Sequence, residues 1–110
     1  MGAKRPSPPD ALLGLIGLGL RGGMALPGVD TARSWLQSGE CCLVVVASDA
    51  TARAQEKVVR LAQGAGVPVI TGPTADELGA RLGRPPVMVV GVRDRALAKG
   101  MLAAVARQTE

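Results

Sequence analysis

The residue types that most often carry out catalysis are scarce in this chain, and their spacing argues against an active site. None of the 110 residues is a histidine, which removes the commonest general base and metal ligand. Cys41 and Cys42 are adjacent and lack the two-residue spacer of a redox or zinc pair, so the sequence predicts no metal site. We expect both thiols to be reduced and unreactive at the start of a strand, one directed inward and the other outward.

Two aspartates follow apolar runs, at positions where α/β enzymes often carry catalytic carboxylates. Asp49 follows "LVVVAS", and Asp94 comes shortly after "VVGV". Neither has a second carboxylate, a histidine or a lysine close enough in sequence to indicate a partner. The favoured interpretation is that Asp49, with Ser48 and Thr51, caps the next helix and that Asp94 caps the last one. The sequence contains no Gly-Lys-Ser/Thr phosphate loop, and "GLIGLG" lies inside a helix rather than after a strand. The sequence therefore predicts a protein that is not an enzyme and binds no cofactor.

A different kind of chemistry is indicated by "LRGGMALPGVDTARSWL", residues 20–36. Glycines, a short apolar run and a Pro-Gly pair precede a helical segment, an order that presents the open N-terminus of a helix. Such a terminus offers free N–H groups and a partial positive charge to phosphate. The net charge of +4 suits the same ligand, although a high-GC genome would also favour arginine. With one tryptophan and no Phe or Tyr, recognition by stacked bases on a sheet is disfavoured.

The spacing of apolar residues predicts the order αβαβαβαβα, with short strands buried on both faces. This pattern is typical of an α/β fold, specifically a three-layer α/β/α sandwich around a small, mostly four-stranded mixed sheet. Residues 1–9 are expected to be a flexible basic tail, with Ser7 capping the first helix and Pro8 at its first position, and residues 10–110 a single domain. The predicted helices and strands are, in chain order, Pro9–Leu20, Met24–Leu26, Gly28–Ser38, "CCLVVVA", a helix ending at Gly64 or Gly66, "VPVI", "TADELGARLG", "VMVVGV" and "RDRALAKGMLAAVARQ".

The apolar run Ala11–Leu20 follows a basic start and so imitates a signal peptide. It is short, carries three glycines and is followed by "RGG" rather than by a cleavage site. It is also too short to span a bilayer. We therefore expect a cytoplasmic protein without membrane contact.

The order of these elements resembles a known family. "SGECCLVVVASDATARAQEKVVRLAQGAGVPVI" followed by "ELGARLGRPPVMVVGV" is similar to the kink-turn-binding ribosomal proteins, the L-seven-Ae and L-thirty-e superfamily, and within it to the small bacterial YlxQ-like branch. The shared features are a helix ending in Ser-Gly, the strand "LVVVASDA" leading into a helix, "GVPVI" after that helix, and a Leu-Gly-x-x-x-Gly pattern before the last strand. The resemblance covers about Leu13 to Leu102.

The resemblance implies the α/β/α fold and RNA binding without catalysis. In the family, the opening of the second helix contacts tandem sheared G·A pairs, and the loop before the last strand covers a flipped-out nucleotide. The implied partner is structured, kink-turn-like RNA of the ribosome, with ribosome-associated proteins as further partners of a monomer.

The family motif at the second helix is Gly, any residue, Asn, Glu, two residues, Lys, and this chain keeps part of it. Gly28 matches, whereas Asp30, Thr31 and Ser34 stand at the Asn, Glu and Lys positions. Asp30 keeps an acceptor but lacks the amide donor. Ser34 lacks the cation, which the neighbouring Arg33 could supply.

Three further residues complete the RNA-binding set that the resemblance implies. Arg21 and Arg84 would reach phosphates, and Val87 would pack on an unstacked base. The alternative is a protein-interaction module of the same fold with weak or no RNA affinity. The altered motif and the apolar, supposedly exposed segment "MALP" at residues 24–27 favour that alternative.

Overall fold

The computed structural model describes residues 8–106, so the predicted cap at Ser7 and most of the predicted tail lie outside the described residues. Helices and strands alternate as the sequence predicts, and their bounds differ from the predicted ones by one or two residues at most ends. The elements are α1 Pro8–Arg21, β1 Ala25–Pro27, α2 Val29–Ser38, β2 Leu43–Val46, α3 Ala52–Ala65, β3 Val69–Thr71, α4 Ala75–Leu82, β4 Val89–Val92 and α5 Arg95–Ala106.

The four strands form one mixed sheet in the order β1-β4-β2-β3. β4 runs antiparallel to both of its neighbours, with Leu26 opposite Gly91 and Val45 opposite Val90. β3 runs parallel to β2 at the far edge. The two central strands are buried along their whole length, which confirms the prediction from their unbroken apolar runs.

The helices pack in two groups, one on each side of the sheet. α2 packs with α3, and α1 packs with α5 and α4, which confirms the predicted three-layer arrangement. Gly19 on α1 leaves room for its neighbours, since a Cβ at this position would collide with Cβ of Ala25 in β1 and with the end of the Leu97 side chain of α5. This glycine therefore serves helix packing rather than ligand binding. None of the helices in the described part of the chain is long and apolar enough to cross a membrane.

The predicted helix caps are confirmed at Thr51 of α3 and Asp94 of α5, whereas the predicted cap at Asp49 is wrong. Asp94 Oδ2 accepts the N–H of Leu97 at 2.8 Å and so caps α5. α3 is capped by Thr51 alone, whose hydroxyl oxygen accepts the N–H of Ala54 at 3.2 Å. Asp49 does not cap α3, because its Oδ1 accepts the N–H of Ala75, at the start of α4, at 2.8 Å. That bond joins residues 26 positions apart, and sequence spacing gave no sign of it.

The burial of the central strands predicts the pattern of amide hydrogen exchange. We expect the amides of β2 and β4, including those of Val45 and Val89, to exchange most slowly, because both strands are fully buried and paired on both edges. Exchange measured by NMR in native buffer checks this. Uniformly fast exchange in β2 and β4, with slower exchange in an edge strand, would contradict the arrangement.

Candidate nucleic-acid interface

One edge of the sheet gathers the starts of three helices. β1 and β2 are both antiparallel to β4, and β3 is parallel to β2, so these three strands end at the same edge. α2, α3 and α4 each follow one of them and therefore begin there. β4 starts at this edge as well, which brings the preceding loop, residues 83–88, to the same place. We call this the helix-start edge.

The start of α2 is open to a ligand at this edge. Gly28 is its N-cap with φ 121° and ψ 141°, a conformation that favours glycine, and no side chain caps the helix. The Gly28 N–H donates to the carbonyl of Val89 at 2.8 Å, which ties the cap to β4. The first intrahelical bond is that of the Ala32 N–H to Gly28, so the N–H groups of residues 29–31 remain available, as in any uncapped first turn.

Gly91 on β4 leaves room for α2 to pack directly on the sheet. A Cβ on Gly91 would lie 3.2 Å from Cε3 of Trp35 and 3.3 Å from Cα of Ala32. A side chain here would therefore require Trp35 or α2 to shift by a few tenths of an ångström. Arg93, which sequence analysis did not single out, also contacts Trp35. Its guanidinium carbon lies 4.9 Å from the centre of the Trp35 ring, and its Nε donates to the carbonyl of Gly23 at 3.0 Å.

The loop of residues 83–88 is held against α4 by backbone bonds. Gly83 ends the helix in the left-handed conformation, with φ 66°. The Arg84 N–H then donates to the carbonyl of Gly79 at 2.8 Å, and the Val87 N–H donates to that of Ala75 at 3.0 Å. A Cβ on Gly79 would collide with the carbonyl of Pro85, so the glycines of the Leu-Gly-x-x-x-Gly pattern let the loop fold back onto its own helix.

α4 is itself fixed at its start, which steadies the loop. Thr74 and Glu77 form a capping box, with the Glu77 N–H donating to the Thr74 hydroxyl oxygen and the Thr74 N–H donating to the Glu77 carboxylate. Asp49 accepts the next N–H, that of Ala75. Two carboxylates thus complement the positive end of α4, and the end of β2 is connected to the helix that carries the loop.

Between the start of α2 and this loop lies an open groove of about 320 Å³, which we call the loop groove. It brings together three of the predicted site residues, Gly28, Arg84 and Val87. Arg84 is exposed, as its predicted role requires. Val87 is 7% exposed and belongs to the core, so little of its side chain is available to pack on a base. The larger apolar surface of the groove comes from the exposed Pro85 and Pro86.

The remaining predicted residues lie outside the loop groove. Asp30 and Ser34 are exposed and, four residues apart, share one face of α2, while Thr31 is half-buried. Arg33 lines a separate groove between α2 and α3 together with Lys57 and Arg60.

Arg21 lies away from the loop groove, and the segment of residues 24–27 is less exposed than predicted. Arg21 lines a third groove, between α1 and α4, where Arg81 is a second cation that sequence analysis missed. The segment "MALP" is not exposed, because Ala25 is fully buried and its neighbours are half-buried. The apolar surface that favoured a protein-interaction module is therefore absent from this segment.

The two cysteines lie at the opposite edge of the sheet, before β2. Cys41 is buried and Cys42 half-buried, which confirms the predicted inward and outward directions. Burial raises the pKa of the Cys41 thiol, and the thiol donates to the carbonyl of Leu43 at 3.3 Å. Among residues 8–106, no group of three or more His, Cys, Asp or Glu side chains is arranged to hold a metal ion.

Comparison with known proteins identifies the family of this chain. The model of the ribosomal protein L7Ae/L30e/S12e/Gadd45 family matches residues 12–101, and the chain belongs to this family. Membership confirms the resemblance seen in the sequence, whereas the bacterial YlxQ-like branch stays a prediction. No curated protein matches the chain.

Two solved structures show the same fold. A protein with unknown function from Bacillus halodurans is 26% identical, with a TM-score of 0.81 over 86% of this chain and 96% of that one. A 15.5kD RNA binding protein from Giardia lamblia is 23% identical, with a TM-score of 0.71 over 96% of this chain and 89% of that one. At the lower identity the likeness concerns the fold alone.

The contact between Gly79 and Pro85 predicts a large effect of a small substitution. Gly79→Ala should destabilise the protein by about 1–3 kcal/mol, because the added methyl overlaps backbone that cannot rotate away. For a domain of this size that lowers Tm by several degrees. Gly64→Ala is the matched control, since nothing lies within 4 Å of a Cβ there and the residue is inside α3. The control should be neutral or stabilising, and equal effects in thermal denaturation would contradict the proposed fit of the loop.

The raised pKa of Cys41 predicts unequal thiol reactivity. At a given pH a raised pKa leaves less thiolate, and only the thiolate attacks alkylating reagents. Cys42 should therefore be modified before Cys41 in the native protein at pH 8, and both should react alike after denaturation. Peptide mass mapping over time measures the two rates. Equal rates in the native state would show that Cys41 is not protected.

Proposed function

We propose that this protein binds structured RNA containing a kink-turn-like internal loop, without catalysis. The start of α2 would contact the paired bases of the internal loop, and the loop of residues 83–88 would cover an unstacked nucleotide. One observation carries the proposal: two segments more than fifty residues apart in sequence form the walls of a single groove at the helix-start edge. Family membership and the resemblance of the fold to an RNA binding protein support it.

The chemistry of the loop groove suits a nucleic acid. The free N–H groups at the start of α2 and the exposed Arg84 would bind phosphate or base edges. The exposed ring faces of Pro85 and Pro86 would give an unstacked base an apolar surface. Val87 would act by positioning this loop through its backbone bond to Ala75, not by touching the base.

The altered motif on α2 would weaken this contact relative to the family pattern. Asp30 carries an exposed negative charge at the position of an amide donor. Ser34, on the same face, supplies no cation. Arg33 points to the groove beside α3 and so does not take the lysine's place in the loop groove. We propose moderate affinity, with the native target a ribosomal RNA in the cytoplasm and the protein a monomer.

The second candidate function is a protein-interaction module with little RNA affinity. The exposed Asp30 favours it, since a carboxylate in the first turn of α2 repels phosphate. Against it stand the burial of Ala25, the half-burial of the other residues of segment 24–27 and the net positive charge. A gel-shift assay with a kink-turn RNA, and with a control whose G·A pairs are mutated, separates the two functions.

Restoring the family residues on α2 gives the sharpest test. The triple variant Asp30→Asn, Thr31→Glu, Ser34→Lys should bind the kink-turn RNA about tenfold more tightly or better. It regains an amide donor, an acceptor for guanine edges and a cation beside phosphate. Its binding to the mutated-G·A control should not improve in proportion.

The substitutions lie on exposed or half-buried positions of α2, so thermal stability should change little. Equal gains with both RNAs would mean that added charge alone explains the effect and that the start of α2 is not a kink-turn site. No binding by either protein would favour the protein-interaction module.

A further inference from the structure

Three cations from two helices meet in one groove beside the helix-start edge. Arg33 of α2 faces Lys57 and Arg60 of α3 across a space of about 320 Å³, and Glu56 and Leu61 complete the lining. We call this space the cation groove. Periodicity alone assigns Lys57 and Arg60 to a solvated helix face. The structure instead sets them opposite an arginine from another element.

The cations of this groove have no partner within the described part of the chain. Nε of Arg33 is buried and has no hydrogen-bond partner. Lys57 and Arg60 are exposed, and within the described residues neither forms an ion pair with Glu56. A buried donor without an acceptor is costly. An anion in the groove would meet the positive charges of Arg33, Lys57 and Arg60 together.

The position of the cation groove connects it to the proposed RNA site. α2 and α3 both begin at the helix-start edge, and Arg33, Lys57 and Arg60 are the fifth, sixth and ninth residues of their helices. At 1.5 Å per residue they lie about 6–12 Å from that edge. A strand of RNA leaving the start of α2 along this side would pass over them.

We propose that the cation groove holds the phosphate backbone of the RNA stem that extends from the internal loop. This inference rests on the proposed function and adds a second, sequence-independent contact to it. Phosphate fits better than bases, because arginine and lysine are the usual phosphate ligands and no aromatic residue lines the groove. The groove would anchor and orient the stem, while the loop groove reads the internal loop.

The experiment measures the affinity for a long-stemmed kink-turn RNA over a range of salt concentrations. The test variant is Lys57→Gln/Arg60→Gln. The matched control is Arg95→Gln/Lys99→Gln, which removes the same two charge types from exposed positions of α5 in a groove at the opposite edge of the sheet. The slope of log K against log salt should become shallower by about 1.5 in the test variant, since each phosphate contact contributes about 0.7–0.9.

If the two proteins bind equally at 1 M salt, this change of slope corresponds to about 30-fold weaker binding at 0.1 M salt, whereas the control should keep the wild-type slope. Glu56→Gln, which removes the negative charge from the same groove, should bind more tightly, a gain that damage to the fold cannot imitate.

The outcomes separate this inference from the proposed function. A wild-type protein that does not bind kink-turn RNA overturns both. Normal RNA binding by the Lys57→Gln/Arg60→Gln variant overturns the inference alone and would leave an acidic protein segment as the occupant. Equal losses in the test and control variants would show a general charge effect and no defined groove. Weaker binding with an unchanged salt slope would mean that the contact is not to phosphate.

Discussion

The antiparallel pairing of β4 with both β1 and β2 determines where the rest of the molecule lies. It sends β1 and β2 in the same direction, so that the helices after them start side by side. It also brings the beginning of β4 back to that edge, with its loop beside the cap of α2. The pairing is supported by two central strands with fully buried residues on both faces. A slip of one residue in either register would exchange the two faces of the sheet.

Within that frame, three glycines allow close contacts and a backbone conformation that a side chain would disfavour. Gly28 supplies a cap conformation that favours glycine, Gly91 lets α2 approach β4, and Gly79 makes room for the loop of residues 83–88. The loop groove therefore depends more on where side chains are missing than on which are present. This explains how a domain with a single aromatic residue builds a defined surface without bulky side chains to support it.

Sequence analysis predicted the elements, their order and the two central strands, because buried strands and capped helices have local patterns. It also placed Gly28 and Arg84 in segments that share a groove. It was wrong about Asp49, whose partner lies at a distant helix. It also gave no sign that Val87 is largely buried, because that burial depends on how the loop folds back. The sequence also gave no sign that Arg33 shares a groove with Lys57 and Arg60. In each case the decisive neighbour is distant in sequence, and periodicity reports only on local neighbours.

The contact of Trp35 with Arg93 and Gly91 has a practical consequence. Trp35 is the only aromatic side chain of the protein, and it is 7% exposed in the seam between α2 and β4. Its near-ultraviolet absorbance and intrinsic fluorescence therefore come from one chromophore, with no tyrosine to contribute emission or energy transfer. The guanidinium 4.9 Å from the ring makes the emission sensitive to the local field. Any movement of α2 relative to the sheet can thus be followed optically in the unlabelled protein, at a single known position.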